Sequence, residues 1–203
     1  MAPHLILASG SAGRLGVLTA AGFDPEVVVS GVDETNHDGL ATADLVALLA
    51  QRKARAVAAI RPDALVLGCD SLLDLDGAAI GKPPTAQAAA DLWHRLAGRE
   101  GTLLTGHCLI AGEREVRAVG ATIVRFGRPT ETEVAAYTAT AEALTLAGGF
   151  SIDGRSAPFV DGIYGDASNV IGLSLPLFRR LLADLGLLVT DLWRPAGQPI
   201  TQT

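Results

Sequence analysis

Three cations, Arg14, Lys53 and Lys82, sit beside glycine-rich or carboxylate-bearing segments, and six acidic residues, Asp33, Glu34, Asp70, Asp153, Asp161 and Asp166, close strands or loops. Carboxylates of this kind hold a hard divalent cation through oxygen, while lysine and arginine neutralise phosphate oxygens. The set therefore suits metal-assisted phosphoryl chemistry. Taken singly, each residue also has a structural reading: Asp70 as a helix cap or turn residue, Lys53 and Lys82 as solvated surface charges, and the Ser9 loop as a tight connection. Signatures that would point elsewhere are missing: no GxxxxGKS or GxxxxGKT, no GxSxG, no HExxH, and no GxGxxG after a strand. The four histidines, His4, His37, His94 and His107, are scattered and read as surface or hairpin residues rather than a metal cluster.

The elements that must hold these residues follow from the hydrophobic pattern. Leu5 to Ala8 reads as a short buried strand, Ser9 to Gly13 as a small-residue loop, and Arg14 onward as a helix. A strand, a Gly/Ser loop and a helix start together make an anion site, because free backbone N–H groups converge there. Pro25 to Val32 reads as a second strand ending at Asp33-Glu34-Thr35, followed by an exposed loop at Asn36 to Gly39. Helical periodicity over Ala43 to Ile60 carries Gln51, Arg52 and Lys53, and the strand Ala64 to Cys69 delivers Asp70 at its end. That is where ligand chemistry sits in open α/β sheets. Asp76-Gly77 is a hairpin dipeptide leading to Gly81-Lys82-Pro83-Pro84, and a helix follows from Thr85 to Ala97. Gly101 to Ala111 and Val116 to Phe126 form a second hairpin. Acidic residues at Glu131 and Glu133 mark a helix start. After Tyr137 the pattern is irregular, with turns at 147–154 and 161–166, until a helix with Pro176 in its first turn runs to about Leu185.

The formal net charge of −6 gives no electropositive field for a duplex, and no basic stripe with interleaved aromatics occurs, so nucleic-acid binding is disfavoured. Cys69 and Cys108 lie far apart and lack metal spacing, which predicts reduced thiols. No apolar run reaches the ~18 to 20 residues of a membrane span, and no secretory pattern opens the chain. A cytoplasmic protein without a membrane partner is expected.

The order of the motifs is more informative than any one of them. Leu7-Ala8-Ser9-Gly10-Ser11-Ala12-Gly13-Arg14 is followed by Val32-Asp33-Glu34-Thr35, Arg52-Lys53-Ala54, Gly68-Cys69-Asp70-Ser71, Gly81-Lys82-Pro83 and Thr105-Gly106-His107, then by the segments 147–154 and 169–176. These eight collinear stretches, spanning Leu5 to about Leu188, resemble the Maf (septum-formation) family of nucleoside triphosphate pyrophosphatases. The family's S-x-S-P-R-R loop loses its proline and first arginine to Ala12 and Gly13, and the glutamine of its I-Q-G segment is Asp153.

What the resemblance implies is an α/β fold like that of inosine triphosphate pyrophosphatases: a two-lobed mixed sheet flanked by helices, with a central nucleotide cleft. One such domain is expected over residues 1–190, with a tail at 191–203. The implied reaction takes a nucleoside triphosphate, standard or modified, to its monophosphate and pyrophosphate, with house-cleaning of modified nucleotides and division arrest as roles. Asp70, Lys53 and Lys82 are expected to be catalytic, Ser9, Ser11, Arg14 and Asp153 to bind substrate, and Glu34 with Asp70 to hold Mg²⁺ or Mn²⁺. The alternative is a nucleotide-binding regulatory protein with little turnover. The expected partner is a small-molecule nucleotide, and a homodimer is allowed for. Asp33-Glu34-Thr35 and Thr105-Gly106 resemble the 7-methyl-GTP branch more than the dTTP and UTP branch. Restoring arginine at Gly13 is expected to be tolerated and to tighten phosphate binding.

Overall fold

The structure, a computed structural model, describes residues 3–34 and 39–194. Strand β1 (Leu5–Leu7) is apolar throughout and buried throughout, as a central strand covered on both faces must be. Ser11 caps helix α1 (Ala12–Ala20), its hydroxyl accepting the Arg14 amide, and the chain returns as β2 (Glu26–Val27), parallel to β1. The expected strand from Pro25 to Val32 is thus only two residues long, because beyond Val28, whose amide reaches Leu7, no ladder continues. Helix α2 (Thr42–Ala58) crosses to β3 (Leu65–Leu75), which lies parallel to β1 on its other side.

From here the sheet turns antiparallel. β3 folds back into β4 (Ala78–Ile80) through Asp76 and Gly77, both at positive φ (57° and 81°), as a two-residue primed turn needs. Thr85 caps helix α3 (Ala86–Leu96), and then β5 (Glu100–Ala111) and β6 (Arg114–Phe126) form the long hairpin. The reciprocal Thr130–Glu133 capping box starts helix α4 (Glu131–Thr138). The irregular stretch after it contains a strand that the pattern did not reveal, β7 (Val160–Tyr164), and a short helix, α5 (Ala167–Ile171). Helix α6 (Leu175–Asp184) follows with Ser174 as its cap and Pro176 in its first turn. Strand order is β2-β1-β3-β5-β6-β7, with β4 also on β3, so the sheet is mixed and seven-stranded. The chain stays attached past residue 190, where Trp193 bridges to Phe23 and the Arg194 amide donates to Gly22. The remainder of the expected tail lies outside the described residues.

Alternation along the long strands divides the interior. Leu65, Leu67, Cys69 and Leu109 point to the face covered by α1 and α6, packing with Leu18, Phe178 and Leu182. Val66, Cys108 and Ile110 point to the opposite face, against Ala50, Ala54 and Val57 of α2. The two cysteines are therefore on different faces, both buried and free, and cannot pair. At the far end of β3, Leu73 and Leu75 join Leu103, Val124 and Phe126 under α3 and α4, where Trp93 meets Phe126 and Tyr137 edge to face. The long strands thus link two halves, each with its own helices.

Helix α2 lies against the sheet without a layer of side chains between them at two points. A Cβ added at Gly68 would come 2.3 Å from the Ala50 carbonyl oxygen, and one added at Gly106 would come 2.1 Å from that of Val46. Both obstacles are helix backbone, which cannot rotate away. Gly106→Ala should therefore cost about 3 kcal/mol or more by forcing α2 off the sheet, as in other cases of overpacking. Urea unfolding measures this, and an alanine variant as stable as the parent would contradict the packing described.

Candidate active site

One edge of β3 is paired by β5 over nearly its whole length, from Leu65 to Asp74. The other edge is shared. β1 pairs it at Leu65 to Leu67 and β4 at Leu73 to Leu75, leaving 68–72 without a strand neighbour. Asp70 and Ser71 lie in this gap, and alternation sends them to opposite faces. The chain leaving β1 carries Ser9 and Ser11 toward the gap. The chain leaving β4, where Ile80 faces Leu73, carries Gly81 and Lys82 toward it from the other direction.

On the α2 face, the Lys53 Nζ lies 2.5 Å from Asp70 Oδ1 and 2.6 Å from Glu34 Oε1. Lys53 and Asp70 are buried, while Glu34 is about half exposed at the rim. Burial pushes the Asp70 carboxyl above its ordinary value and outweighs the opposing pull of Lys53 and Arg14, and the Glu34 charge adds to the upward shift. A buried carboxylate held next to one ammonium and raised in proton affinity is suited to taking a proton from water. Glu34, Lys53 and Asp70, placed together from the motifs, are brought together here.

On the other face, Arg14 is buried at 9% exposure and held by three elements. Its Nε donates to the Gly172 carbonyl (2.9 Å), Nη1 to Ser9 Oγ (2.9 Å) and Nη2 to Ser71 Oγ (3.1 Å). All three acceptors are neutral, and no carboxylate among the described residues pairs with it. A guanidinium has five N–H groups, so two remain. Ser9 Oγ accepts from both Arg14 and the Ser11 amide, which leaves its own proton to be donated outward. Ser71 has no such freedom, because its oxygen accepts from Arg14 and its proton goes to Thr105 Oγ1 (2.9 Å), whose own proton goes to the Asn169 carbonyl. The first-turn amides of Ala12 and Gly13 have no partner within the helix. A buried, uncompensated cation, an outward hydroxyl and two free amides form an anion-binding surface.

Of the two readings given for the histidines, surface or hairpin, His107 takes the second, on β5 of the β5–β6 hairpin. It is fully buried on β5, not on the surface. The Ser174 amide donates to Nε2 (2.9 Å), so the ring proton must be on Nδ1, donating to the Thr105 carbonyl (3.0 Å). Burial lowers its proton affinity to a pKa of about 4, the nearby Arg14 pushing the same way against Asp166. His4 and His94 are exposed and pair with Glu26 and Glu131, and His37 lies outside the described residues. Sequence reasoning missed His107, Ser71 and Asn169 as parts of this network. The available signal was the polar pair Thr105 and His107 at inward positions of β5, between Leu103 and Leu109.

Other expected residues are placed less centrally. Lys82 is exposed and without a hydrogen bond or ion pair among the described residues; the Gly148 amide, bonded to the Gly81 carbonyl (2.9 Å), fixes the turn beside it. Asp153 is exposed, and its carboxylate takes the Ser151 hydroxyl, with no contact to Asp70 or Glu34. Asp166 caps α5. Ser11 is the cap of α1, its oxygen accepting the Arg14 amide, and its own proton has no acceptor among the described residues. Thr105 is fully buried and committed to the Arg14 network, so it does not meet a base; Thr35 lies outside the described residues. Gly13 lies inside α1, where a Cβ would come 3.2 Å from the Ile171 carbonyl oxygen, so the expected tolerance of arginine there requires α1 and α5 to separate by a few tenths of an ångström.

The chain matches the family described as Maf-like protein over residues 4–185. A nucleoside triphosphate pyrophosphatase of Streptomyces coelicolor is 57% identical, the match covering 95% of this chain and 96% of that one. Proteins of the same name from Streptomyces avermitilis and Saccharopolyspora erythraea are 54% and 50% identical, each covering 95% of this chain, with 95% and 98% of their own lengths.

The buried histidine gives a pH signature. Its folded pKa of about 4 lies below the ordinary 6.5. As pH falls through 6.5 toward 4, the unfolded chain binds a proton that the folded one refuses, so stability is full above 6.5 and lost below it, by up to about 3 kcal/mol. His107→Gln removes that titration and leaves the opposing one of Asp70 common to both proteins. The stability gap between parent and variant in urea should therefore narrow by that amount from pH 7 to 4. A gap that stays constant would show that the imidazole is not held neutral.

Proposed function

The chain belongs to the Maf-like protein family and is a nucleoside triphosphate pyrophosphatase, and from that premise we propose how its cleft cleaves a nucleotide between the α- and β-phosphates. The observation that carries the proposal is Arg14, a buried guanidinium with three neutral acceptors and no carboxylate partner among the described residues. Leaving such a charge unpaired costs several kcal/mol, and a phosphate oxygen at its two remaining N–H groups offsets that cost. The Ser9 hydroxyl and the Ala12 and Gly13 amides add neutral donors on the same side. Lys82, exposed beside the open edge of β3, brings a second cation to the triphosphate from the opposite lip, with Ser11 shaping the loop and Asp153 at the rim of the same half.

Attack follows from the α2 face. Asp70 takes a proton from water as its oxygen bonds to the α-phosphorus. The bond to the bridging oxygen breaks, and pyrophosphate leaves from a nucleoside monophosphate. Lys53 holds the Asp70 carboxylate in place and neutralises charge developing beside it. Glu34 and Asp70 each use one oxygen on Lys53 and keep a second, a pair of hard donors that fits Mg²⁺ or Mn²⁺ with substrate oxygens completing the shell. Bound there through those oxygens, the cation would withdraw charge from the attacked phosphoryl group.

The substrate places the protein with the cytoplasmic nucleotide pool. On the base, the resemblance of Asp33-Glu34 to the 7-methyl-GTP branch is what supports that substrate over dTTP and UTP, and the proposal extends to house-cleaning of modified nucleotides and to division arrest. A pyrophosphate-release panel over standard and modified nucleotides tests the choice.

Asp70→Asn should lower turnover by about 10³-fold or more with the fold retained, since an amide neither takes the proton nor serves as an anionic ligand and Lys53 keeps Glu34. Unchanged pyrophosphate release would remove Asp70 from the chemistry. Chelation should abolish activity in the parent, and full activity in excess chelator would overturn the metal assignment. Lys82→Ala should lower kcat/KM by about tenfold without moving Tm, as an exposed cation contributes little to packing. A fall in Tm with kcat/KM preserved would make it a structural residue.

A further inference from the structure

His107 touches neither Asp70 nor any group placed on the phosphates, yet its ring joins the two walls between which Arg14 is clamped. One wall is the hydroxyl series of the sheet. Nδ1 holds the Thr105 carbonyl, while the Thr105 hydroxyl takes the Ser71 proton and Ser71 takes Arg14 Nη2. The other wall is the turn between α5 and α6. Nε2 takes the Ser174 amide, and two residues earlier the Gly172 carbonyl takes Arg14 Nε. That turn passes so close that a Cβ on Gly172, which sits at φ 116°, would lie 3.2 Å from Arg14 Nε. The spacing of the walls, and with it the aim of the guanidinium, depends on what stands between Thr105 and Ser174.

We propose that His107 is a positioning residue for Arg14, its Nδ1–H tautomer fixing the Gly172 to Ser174 turn against β5 so that the two unused N–H groups of Arg14 face the triphosphate. The inference rests on the reading of Arg14 as a phosphate ligand. Phenylalanine matches the ring in size but neither accepts the Ser174 amide nor donates to Thr105. Glutamine can satisfy one of the two at a time. Among the described residues the ring has no other polar partner through which a change would spread.

The test is a double-mutant cycle in pyrophosphate release: His107→Phe and His107→Gln, each in the parent and in Arg14→Ala, with kcat, KM and Tm measured for all. His107→Phe is expected to lower kcat/KM by about tenfold, mainly through KM, and by less than about twofold once Arg14 is absent. His107→Gln should recover about half of the loss on a logarithmic scale. Equal losses in both backgrounds, or a lower Tm with kcat/KM intact, would overturn the proposal and leave the histidine a packing residue. If His107→Phe does not fold, His107→Gln carries the same comparison, with a loss of about threefold expected only where Arg14 is present. A silent Arg14→Ala is a different failure: it removes the phosphate reading itself, and the positioning role falls with it.

Discussion

At Gly68 and Gly106 the backbone of α2 occupies the volume that side chains would fill on ordinary strands. That approach sets the height of the helix above the sheet, and the height determines whether Lys53 can reach Asp70. Gly106 is directly opposite Asp70 in the β3–β5 register, so the helix is closest at the level of the carboxylate. A helix raised by one methyl layer would leave a buried aspartate without its ammonium, and such a group neutralises rather than stay charged. The ion pair is therefore a product of the packing as much as a contributor to it. Burial raises the Asp70 proton affinity and Lys53 lowers it, with burial the larger.

The same strand separates the remaining chemistry. Asp70 and Ser71 are neighbours in sequence but point to opposite faces, so the buried carboxylate with its lysine lies on one side and a neutral-acceptor slot for Arg14 on the other. Only the unpaired stretch of the β3 edge lets both sides reach one ligand. Had β1 and β4 met along that edge, the sheet would have sealed the base away from the guanidinium. The short pairings of β1 and β4, three residues each, are thus part of the site.

How much of this was legible in the sequence depended on whether the signal was local. Asp76-Gly77 announces its hairpin because few other residues accept two positive φ values, and Ser11, Thr85 and Thr130 announce helix starts through their hydroxyls. Of the Glu34, Lys53, Asp70 and Lys82 set read from motif order, the structure brings the first three into contact and leaves Lys82 exposed, without a partner among the described residues. β7 was not readable, because Asp161-Gly162 interrupts its apolar alternation and its pairing with β6 is supplied by tertiary context. Glycines within strands carry no periodicity, so the depth of α2 was invisible. His107 is the hairpin residue expected, but its buried bridging position was not legible because a lone histidine has no pattern; its partners are sixty-seven residues away at Ser174 and two residues away at Thr105.

The two cations of the core are treated in opposite ways, and the contrast separates their roles. Lys53 has two carboxylates within 2.6 Å and is locally over-compensated. Among the described residues Arg14 has none and is fixed by carbonyl and hydroxyl oxygens. Directed hydrogen bonds to neutral acceptors hold a planar guanidinium in position without cancelling its charge, which a carboxylate would do. An anion arriving in the cleft therefore finds the field of Arg14 intact, while near Lys53 it meets a net negative pair that disfavours a bare phosphate and favours one accompanied by a divalent cation. The charge arrangement thus makes the two faces of the gap unlike: an uncancelled guanidinium on one, and a net negative ion-pair cluster around Asp70 on the other.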